Sequence, residues 1–422
     1  MGYRAVLVVM IFMIKSVCKV SSVGKEGCHP DDLKALEDFK ARITYDDSHR
    51  LKTWTGVNCS KWEGISRDNI TGRVTEISLP GPITKGGAPA QTTMVGELSP
   101  SLHLLSSLRV LDFIGNLTKL KSLNLNGNQI SGPIPESLGN RTSLTFLDLR
   151  SNNISGAIPE PISENLINLE TLFLGSNFLT GPLPENIGNM QKLVDVDLSN
   201  NKIQGGIPNS IGNLKYMTRI LLNSNLLTGI IPSSFGNLQK LGVLALGHNQ
   251  LEGTIPSSLG NMPSLRNLEL SWNNLSGRIP STFGRLAKLM WLSIDHNMIE
   301  GPLPESFGNL TGLSRLDLSY NQINSVLPEP FAKIGYLFVL MLQNNQFTGT
   351  ISQTFLNLKN LRELNLSNNL LSGQIPFRKP LIDFPPSSYS GNRGLCGVPL
   401  GPCSISPSPA YYPEPETMGF SF

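Results

Sequence analysis

The chain has 422 residues, of which 39% are hydrophobic and 15% are charged, and its formal net charge at neutral pH is only +3. Three of the positive charges, on Arg4, Lys15 and Lys19, lie in the first 23 residues, which contain no acidic residue, so the rest of the chain is close to neutral. This balance disfavours nucleic-acid binding and a basic membrane-binding surface, because both need a concentrated positive patch.

The N-terminal segment is typical of a secretory signal peptide. Arg4 precedes an apolar run from residue 5 to 14, and small residues follow at Ser21, Ser22 and Gly24. The run is shorter than the roughly 18 residues that a membrane-spanning helix needs. We expect residues 1–23 to be cleaved and the product to be secreted, with no direct membrane span.

Four cysteines follow this segment, in one pair near each end of the chain: Cys28, Cys59, Cys396 and Cys403. In an oxidising compartment the simplest pairing joins Cys28 to Cys59 and Cys396 to Cys403, so that each bridge closes a cap. A zinc site is the alternative, but the sequence lacks the C-x-x-C or histidine spacing that would support it.

The region between the first cysteines predicts an N-terminal cap over residues 24–97. Pro30, Asp31 and Asp32 open a segment in which apolar residues recur at near-helical spacing from 33 to 43, and this pattern predicts a short amphipathic helix. The segment VTEISL at 74–79 is predicted to be the first strand.

An asparagine then recurs every 24 residues, with one step of 25. The copies are Asn128, Asn152, Asn177, Asn201, Asn225, Asn249, Asn273, Asn297, Asn321, Asn345 and Asn369. The pattern before each is L-x-x-L-x-L-x-x-N, and most are followed by L-x-G-x-I-P. The alternation in L-x-L predicts a short strand with one buried face, and parallel strands require a crossover between them. The asparagine amide is expected to bond main-chain groups of the turn.

The L-x-G-x-I-P variant resembles the plant extracytoplasmic leucine-rich repeat family, which includes receptor-kinase ectodomains, receptor-like proteins and polygalacturonase-inhibiting proteins. The resemblance implies an α/β repeat solenoid, a right-handed leucine-rich repeat superhelix with a concave parallel β-sheet and disulfide-closed caps. Residues 98–377 then hold eleven regular coils and one truncated coil. Residues 378–403 form the C-terminal cap, and 404–422, rich in Ser and Pro, are expected to be a disordered tail.

The truncated coil is predicted where the spacing breaks. Leu105 and Leu117 begin successive repeats only 12 residues apart, which leaves too few residues for an ordinary parallel return. We expect irregular geometry between Phe113 and Ser122.

Motifs for enzyme chemistry are missing from the sequence, which contains no phosphate-binding glycine loop, H-E-x-x-H or G-x-S-x-G. The best carboxylate pair is Asp195 and Asp197, about 6.5 to 7 Å apart by strand geometry and close to glycosidase spacing. An open face would not raise either pKa, and Arg219 on the neighbouring strand should pair with Asp195. We predict that the protein is not an enzyme and has no cofactor or metal site.

Aromatic side chains are concentrated at outward positions of a few coils. His248, Trp272, His296 and Tyr320 precede the ladder asparagine in consecutive coils, and Trp291 and Arg315 begin neighbouring strands. Grouped exposed aromatics are typical of binding hot spots; the alternative is that they only pack on one another. The predicted ligand-binding residues are His248, Trp272, Met290, Trp291, His296, Arg315, Tyr320, Phe338 and Met341.

Eight N-x-S/T sequons are candidate glycosylation sites, although the repeat itself generates this motif. They lie at Asn58, Asn69, Asn116, Asn140, Asn153, Asn274, Asn309 and Asn365.

The resemblance implies a secreted plant recognition protein of the apoplast or cell wall. It would bind a peptide, glycan or protein through its concave face, in signalling or defence, with a membrane co-receptor as a further partner. The alternatives are an inhibitor of a cell-wall polysaccharide hydrolase and the ectodomain of a receptor-like protein or kinase. The lack of a predicted span after the repeats disfavours the last.

Overall fold

The computed structural model describes residues 27–46, 49–77, 79, 94–97, 122–127, 129–140 and 142–403. The chain forms two compact units, Met1–Ser276 and Gly277–Phe422. The predicted signal peptide, the irregular geometry between Phe113 and Ser122, the ladder position Asn128 and the C-terminal tail lie outside the described residues.

The N-terminal cap of the first unit contains the predicted helix, which spans Pro30–Arg42. Proline begins it, and Asp31 and Asp32 in its first turn complement the positive end of the helix dipole. Ala35, Leu36 and Phe39 form its buried face. The predicted bridge from Cys28 to Cys59 is present. Short 3₁₀ helices follow at Arg50–Thr53 and Cys59–Lys61.

The predicted first strand spans Val74–Ile77 and pairs antiparallel with Ile65–Arg67. A buried ion pair joins this hairpin to the helix. The Asp32 carboxylate accepts from Arg73 Nη1 at 2.6 Å and from the Val74 N–H at 2.7 Å. Burial raises the pKa of Asp32, and the bonds from Val74 and Arg73 oppose that rise. The sequence pattern gave no sign of this contact.

Among the described residues of the first unit, the main sheet has seven parallel strands, each one coil from the next. The central residue of each strand is buried in the core, as at Val196, Ile220 and Leu244. The strands are Ser122–Asn124, Phe146–Asp148, Thr171–Phe173, Asp195–Asp197, Arg219–Leu221, Val243–Ala245 and Asn267–Glu269.

The ladder asparagines satisfy main-chain groups, as predicted. Asn225 shows the arrangement: its Nδ2 donates to the carbonyls of Leu198 and Leu222 at 3.0 and 3.1 Å, and its Oδ1 accepts from the Ile203 N–H at 3.0 Å. One side chain thus bonds its own turn and the preceding coil. These main-chain groups have no sheet partner, so the amide prevents a buried polar group from remaining unpaired.

A second set of strands and 3₁₀ helices supplies the return of each coil in the first unit. Glycines such as Gly229 adopt positive φ here, 73° in that case, where an L side chain would be strained. The strands are Ile43–Asp46, Met94–Glu97, Gln129–Pro133, Asn153–Gly156, Phe178–Leu179, Gln204–Gly205, Leu226–Ile230, Gln250–Thr254 and Asn274–Gly277. The helices are the α-helix Glu160–Asn165 and the 3₁₀ helices Glu136–Asn140, Glu185–Asn189, Asn209–Asn213, Ser233–Asn237 and Ser257–Asn261.

The second unit repeats this design with four main-sheet strands: Trp291–Ser293, Arg315–Asp317, Val339–Met341 and Glu363–Asn365. Its further strands are Met298–Ile299, Thr348–Gly349, Leu370–Gln374 and Gly394–Cys396. Its 3₁₀ helices are Ser281–Arg285, Glu305–Asn309, Glu329–Lys333, Gln353–Asn357, Leu381–Asp383 and Pro386–Ser388. Phe283, Phe307, Phe331 and Phe355 from successive helices fill its core.

The C-terminal cap ends the second unit, with the predicted bridge from Cys396 to Cys403. Asn392 acts as one more ladder residue that the repeat spacing did not reveal. Its Nδ2 donates to the carbonyls of Leu366 and Tyr389 at 2.9 and 2.8 Å, and its Oδ1 accepts from the Leu371 N–H at 3.0 Å. The buried Tyr389 hydroxyl donates to the Leu381 carbonyl at 2.6 Å, and burial raises its pKa.

The predicted fold class is confirmed: the chain is a right-handed leucine-rich repeat solenoid with a parallel sheet and disulfide-closed caps. Within the described residues, every helix is too short or too polar to span a bilayer.

Candidate ligand-binding surface

The residue before the ladder asparagine has left-handed backbone, with φ between 53° and 58°, in every described coil from Ser151 to Asn368. Serine or asparagine occupies most of these positions. Four coils instead carry His248, Trp272, His296 and Tyr320. Left-handed backbone costs a bulky L residue on the order of 1 to 3 kcal/mol, whereas asparagine tolerates it better. The large aromatics therefore occupy positions where the fold favours small or amide side chains.

In the first unit, His248 and Trp272 form a stacked pair. Their ring centroids are 5.5 Å apart with an interplanar angle of 13°, and Trp272 is 49% exposed. The histidine thus holds one face of an exposed indole.

In the second unit, the remaining predicted residues lie on three neighbouring strands or close to their ends. His296 stacks on Tyr320 with centroids 4.2 Å apart. Trp291 is the direct register partner of Arg315, whose guanidinium carbon lies 5.6 Å from the indole centroid. This arrangement is a cation–π contact. Arg315 Nη2 also lies 3.9 Å from Asp317 Oδ2, and the Arg315 side chain is 40% exposed. We call the set Met290, Trp291, His296, Arg315, Tyr320, Phe338 and Met341 the second-unit patch.

The patch is largely apolar at its surface. Met290, Trp291, Tyr320 and Phe338 are each between 42% and 46% exposed. The main chain connects them: the Ser314 N–H donates to the Met290 carbonyl, and the Phe338 N–H donates to the Ser314 carbonyl, both at 2.8 Å. Met290 and Phe338 thus stand in one column, two coils apart. Exposed aromatic and sulfur-containing side chains grouped in this way are typical of interaction sites.

Acidic residues that the sequence analysis did not select lie among these side chains. Asp295 accepts from the Ser293 hydroxyl at 2.6 Å and lies 2.9 Å from His296 Nδ1. Asp317 accepts from the Ser319 hydroxyl at 2.7 Å. Burial, followed by repulsion from Asp295, raises the pKa of Asp317.

Two buried polar atoms of this region have no hydrogen-bond partner within the described residues. They are Arg315 Nε and Gln343 Oε1, one donor and one acceptor. Such atoms are rare in folded proteins.

The first unit holds a second cluster of charged and aromatic residues that sequence reasoning missed. The Arg150 and Arg219 guanidinium carbons lie 4.2 and 5.4 Å from the Phe173 ring centroid. Arg150 also bonds Asp148 at 2.7 Å. All of these residues share the outward columns of the main sheet, so the column positions were the signal that could have revealed them. Mutual pairing satisfies their charges.

The proposed carboxylate pair is engaged in structural contacts. Arg219 Nε lies 2.8 Å from Asp195 Oδ1, as predicted. Asp197 is only 8% exposed and accepts from the Ser199 hydroxyl at 2.6 Å. Within the described ranges, no group of three His, Cys, Asp or Glu side chains could hold a metal ion.

The sequons differ in exposure. Asn69, Asn153, Asn274 and Asn309 are exposed. The Asn58 and Asn365 side chains are half-buried, and their Oδ1 atoms accept from the N–H of Ser60 and Ser367. Asn116 and the side chain of Asn140 lie outside the described residues.

Two family models match the chain. One, "Leucine rich repeat", matches residues 215–275 and 279–323. The other, "Leucine Rich Repeat", matches residues 119–140, 143–165, 168–190, 192–214 and 360–378.

Several curated relatives are plant receptors or receptor-like proteins. The chain is 32% identical over 147 residues to phytosulfokine receptor 1 of Arabidopsis thaliana. This match covers 31% of this chain and 14% of the relative. It is 36% identical over 128 residues to receptor-like protein EIX2 of Solanum lycopersicum, which covers 27% of this chain and 12% of the relative. The chain therefore matches only a small part of each relative.

Solved structures extend the likeness. The PEPR1–AtPEP1 structure matches 82% of this chain and 53% of its own, with a TM-score of 0.66 and 30% identity. The Arabidopsis receptor kinase HAESA, in complex with the peptide hormone IDA and the co-receptor SERK1, matches 82% of this chain and 67% of its own. Its TM-score is 0.58, at 29% identity. Repeat pattern, capped solenoid and these matches together place the chain in the plant extracytoplasmic leucine-rich repeat family.

Proposed function

We propose that the protein is an extracellular recognition protein that binds a peptide ligand through the second-unit patch. The observation that carries this proposal is the exposed Trp291 held under Arg315, next to the stacked pair of His296 and Tyr320. Tyr320 keeps left-handed backbone there in spite of the strain. The fold alone does not require these side chains, so binding explains them better than packing does.

A peptide is the ligand class that the patch fits best. The partly exposed Arg315 guanidinium beside Trp291 can donate to a peptide carbonyl or carboxylate. Met290, Phe338 and Met341 supply adaptable apolar contacts for side chains. The HAESA structure contains a peptide hormone and a co-receptor, so we extend both partner types to this chain.

The disulfides at both ends of the described chain support an oxidising, extracellular location. We propose secretion to the apoplast, with a role in signalling or defence. A receptor ectodomain is the second candidate, because the relatives are receptors and receptor-like proteins.

The test uses the protein from residue 24 onward, immobilised and exposed to peptides from plant extracellular fluid. A retained peptide is identified by mass spectrometry, synthesised and titrated. Trp291→Ala should weaken binding by about 2 kcal/mol, roughly thirtyfold. Tyr336→Ala, which removes a more exposed aromatic outside the strands, should change it less than about twofold. Equal affinities for parent and Trp291→Ala would place the site elsewhere.

A further inference from the structure

A basic cleft of about 500 Å³ lies in the second unit, between the last regular coil and the C-terminal cap. Lys359, Arg362 and Lys379 line it with one acidic residue, Asp383, and its apolar lining includes Phe384 and Pro385. We call this the terminal cleft. It forms because the chain leaves the repeat after the strand Leu370–Gln374 and folds back through the 3₁₀ helices of the cap.

The positive charge of the terminal cleft is mostly uncompensated. Lys379 Nζ lies 3.5 Å from Asp383 Oδ2, but the two side chains are 80% and 48% exposed, so water screens the pair. Arg362 Nη1 has one long contact, 3.4 Å to the Leu361 carbonyl. Lys359 and Arg362 form no ion pair within the described part of the chain. Three cations therefore face one weakly held carboxylate, which favours an anionic ligand.

The terminal cleft continues the second-unit patch. The Phe338 carbonyl accepts the main-chain N–H groups of Arg362 and Glu363 at 2.8 and 3.0 Å. Arg362 is therefore the next residue in the column that contains Met290 and Phe338. A ligand lying along that column toward the cap would meet basic groups after the apolar ones.

We propose that the terminal cleft binds an acidic peptide segment. Arg362 can hold a carboxylate through two parallel N–H donors, while Lys359 and Lys379 act as point charges for a second one. The apolar lining at Phe384 and Pro385 suits an aliphatic residue beside the acids. The volume is near the lower end for ligand pockets, which fits a few residues better than a long polymer. That the acidic segment belongs to the same ligand as the one bound by the second-unit patch rests on the proposed function. The binding of an acidic segment in the cleft does not.

The experiment titrates the protein with the capped peptide Leu-Glu-Glu-Leu-Glu and with its glutamine counterpart, by calorimetry at low and high salt. The parent should bind the acidic peptide and not the glutamine one, and salt should weaken the binding. The double variant Arg362→Gln with Lys379→Gln should lower the affinity at least tenfold. Lys359→Gln alone should also lower it. Lys333→Gln, the same change at an exposed lysine outside the cleft, should leave it within twofold.

Several outcomes would overturn the proposal. Equal binding of both peptides, or no effect of the cleft variants, would show that the cleft does not select acids. Stronger competition by inorganic sulfate or by polygalacturonate than by free peptide would assign it to a simple anion or an acidic glycan. Trp291→Ala should leave this titration unchanged. That variant separates the two proposals, because it should weaken binding to the patch only.

Discussion

At the residue scale, the ladder asparagine is the position where a single substitution should matter most for the fold. Asn225→Ala would leave the Ile203 N–H without its acceptor, whereas the Leu198 and Leu222 carbonyls would each keep one amide donor, from Asn201 and Asn249. An unpaired buried group costs roughly 1 to 3 kcal/mol, so we expect a loss of stability in that range. Urea denaturation would measure it.

Asn223→Ala is the matched control for this prediction. Asn223 is two residues away on the same coil and is half-buried. Its main-chain carbonyl accepts from Asn225 Nδ2, but its side chain makes no hydrogen bond among the described contacts. Its removal should change the free energy of unfolding by about 0.5 kcal/mol or less. Equal effects of the two substitutions would refute the ladder explanation.

Asp317 should give the second-unit patch a pH-dependent stability. Its pKa is raised by burial and by Asp295, so folding favours its protonated form. The stability that this group contributes is fully present below its unfolded pKa of about 3.9 and is lost as pH rises through the raised folded value. Asp317→Asn removes that loss and should raise the melting temperature at pH 7 relative to the parent.

The advantage of Asp317→Asn should shrink as pH falls toward 4 and below, because the parent carboxyl then becomes protonated. Thermal melts of both proteins over this range measure the difference. Asp195→Asn is the comparison, since it breaks the 2.8 Å contact with Arg219 and should not stabilise at neutral pH. A constant difference across the pH range would contradict the assignment.

At the element scale, the sequence predicted the regular parts and missed the contacts that join irregular ones. The helix was expected to open at Pro30 with Asp31 and Asp32 in its first turn, and it begins there and ends at Arg42. Every described ladder asparagine after position 128 was predicted, since its spacing follows from the coil. Asn392 was not, because residues without the leucine pattern replace the strand before it.

The buried contact between Asp32 and Arg73 should stabilise the N-terminal cap. Asp32 is fully buried and Arg73 Nη1 lies 2.6 Å away, so Arg73→Ala leaves a buried carboxylate without its charge partner. We expect a loss of about 3 kcal/mol in the local stability of the cap. Hydrogen exchange of the helix Pro30–Arg42 reports it directly. Arg42→Ala, which breaks a pair at 3.5 Å with partly exposed Asp38, should cost less than about 1 kcal/mol.

At the scale of the whole molecule, the periodicity predicted which side chains share a column, and hence which residues of the patch are neighbours. It could not predict the acidic partners of that patch. Asp295 and Asp317 sit in different columns of adjacent coils, and only the side-chain geometry shows that each is held by a serine. The terminal cleft was not predicted for a similar reason. Lys379 belongs to the non-repeating cap, and only the folded structure shows that it lines the same cleft as Arg362.

The whole chain is expected to pass through the secretory pathway. Expressed from Met1 in plant cells, the product should appear in the extracellular fluid with its N-terminus near residue 24. We expect glycans on the exposed sequons Asn69, Asn153, Asn274 and Asn309. Intact-mass measurement before and after enzymatic deglycosylation, with peptide mapping, tests both points. Ser155→Ala removes one sequon without touching its asparagine and should lower the mass by one glycan. Retention inside the cell with residues 1–23 still attached would contradict secretion, because export and glycosylation both depend on that segment.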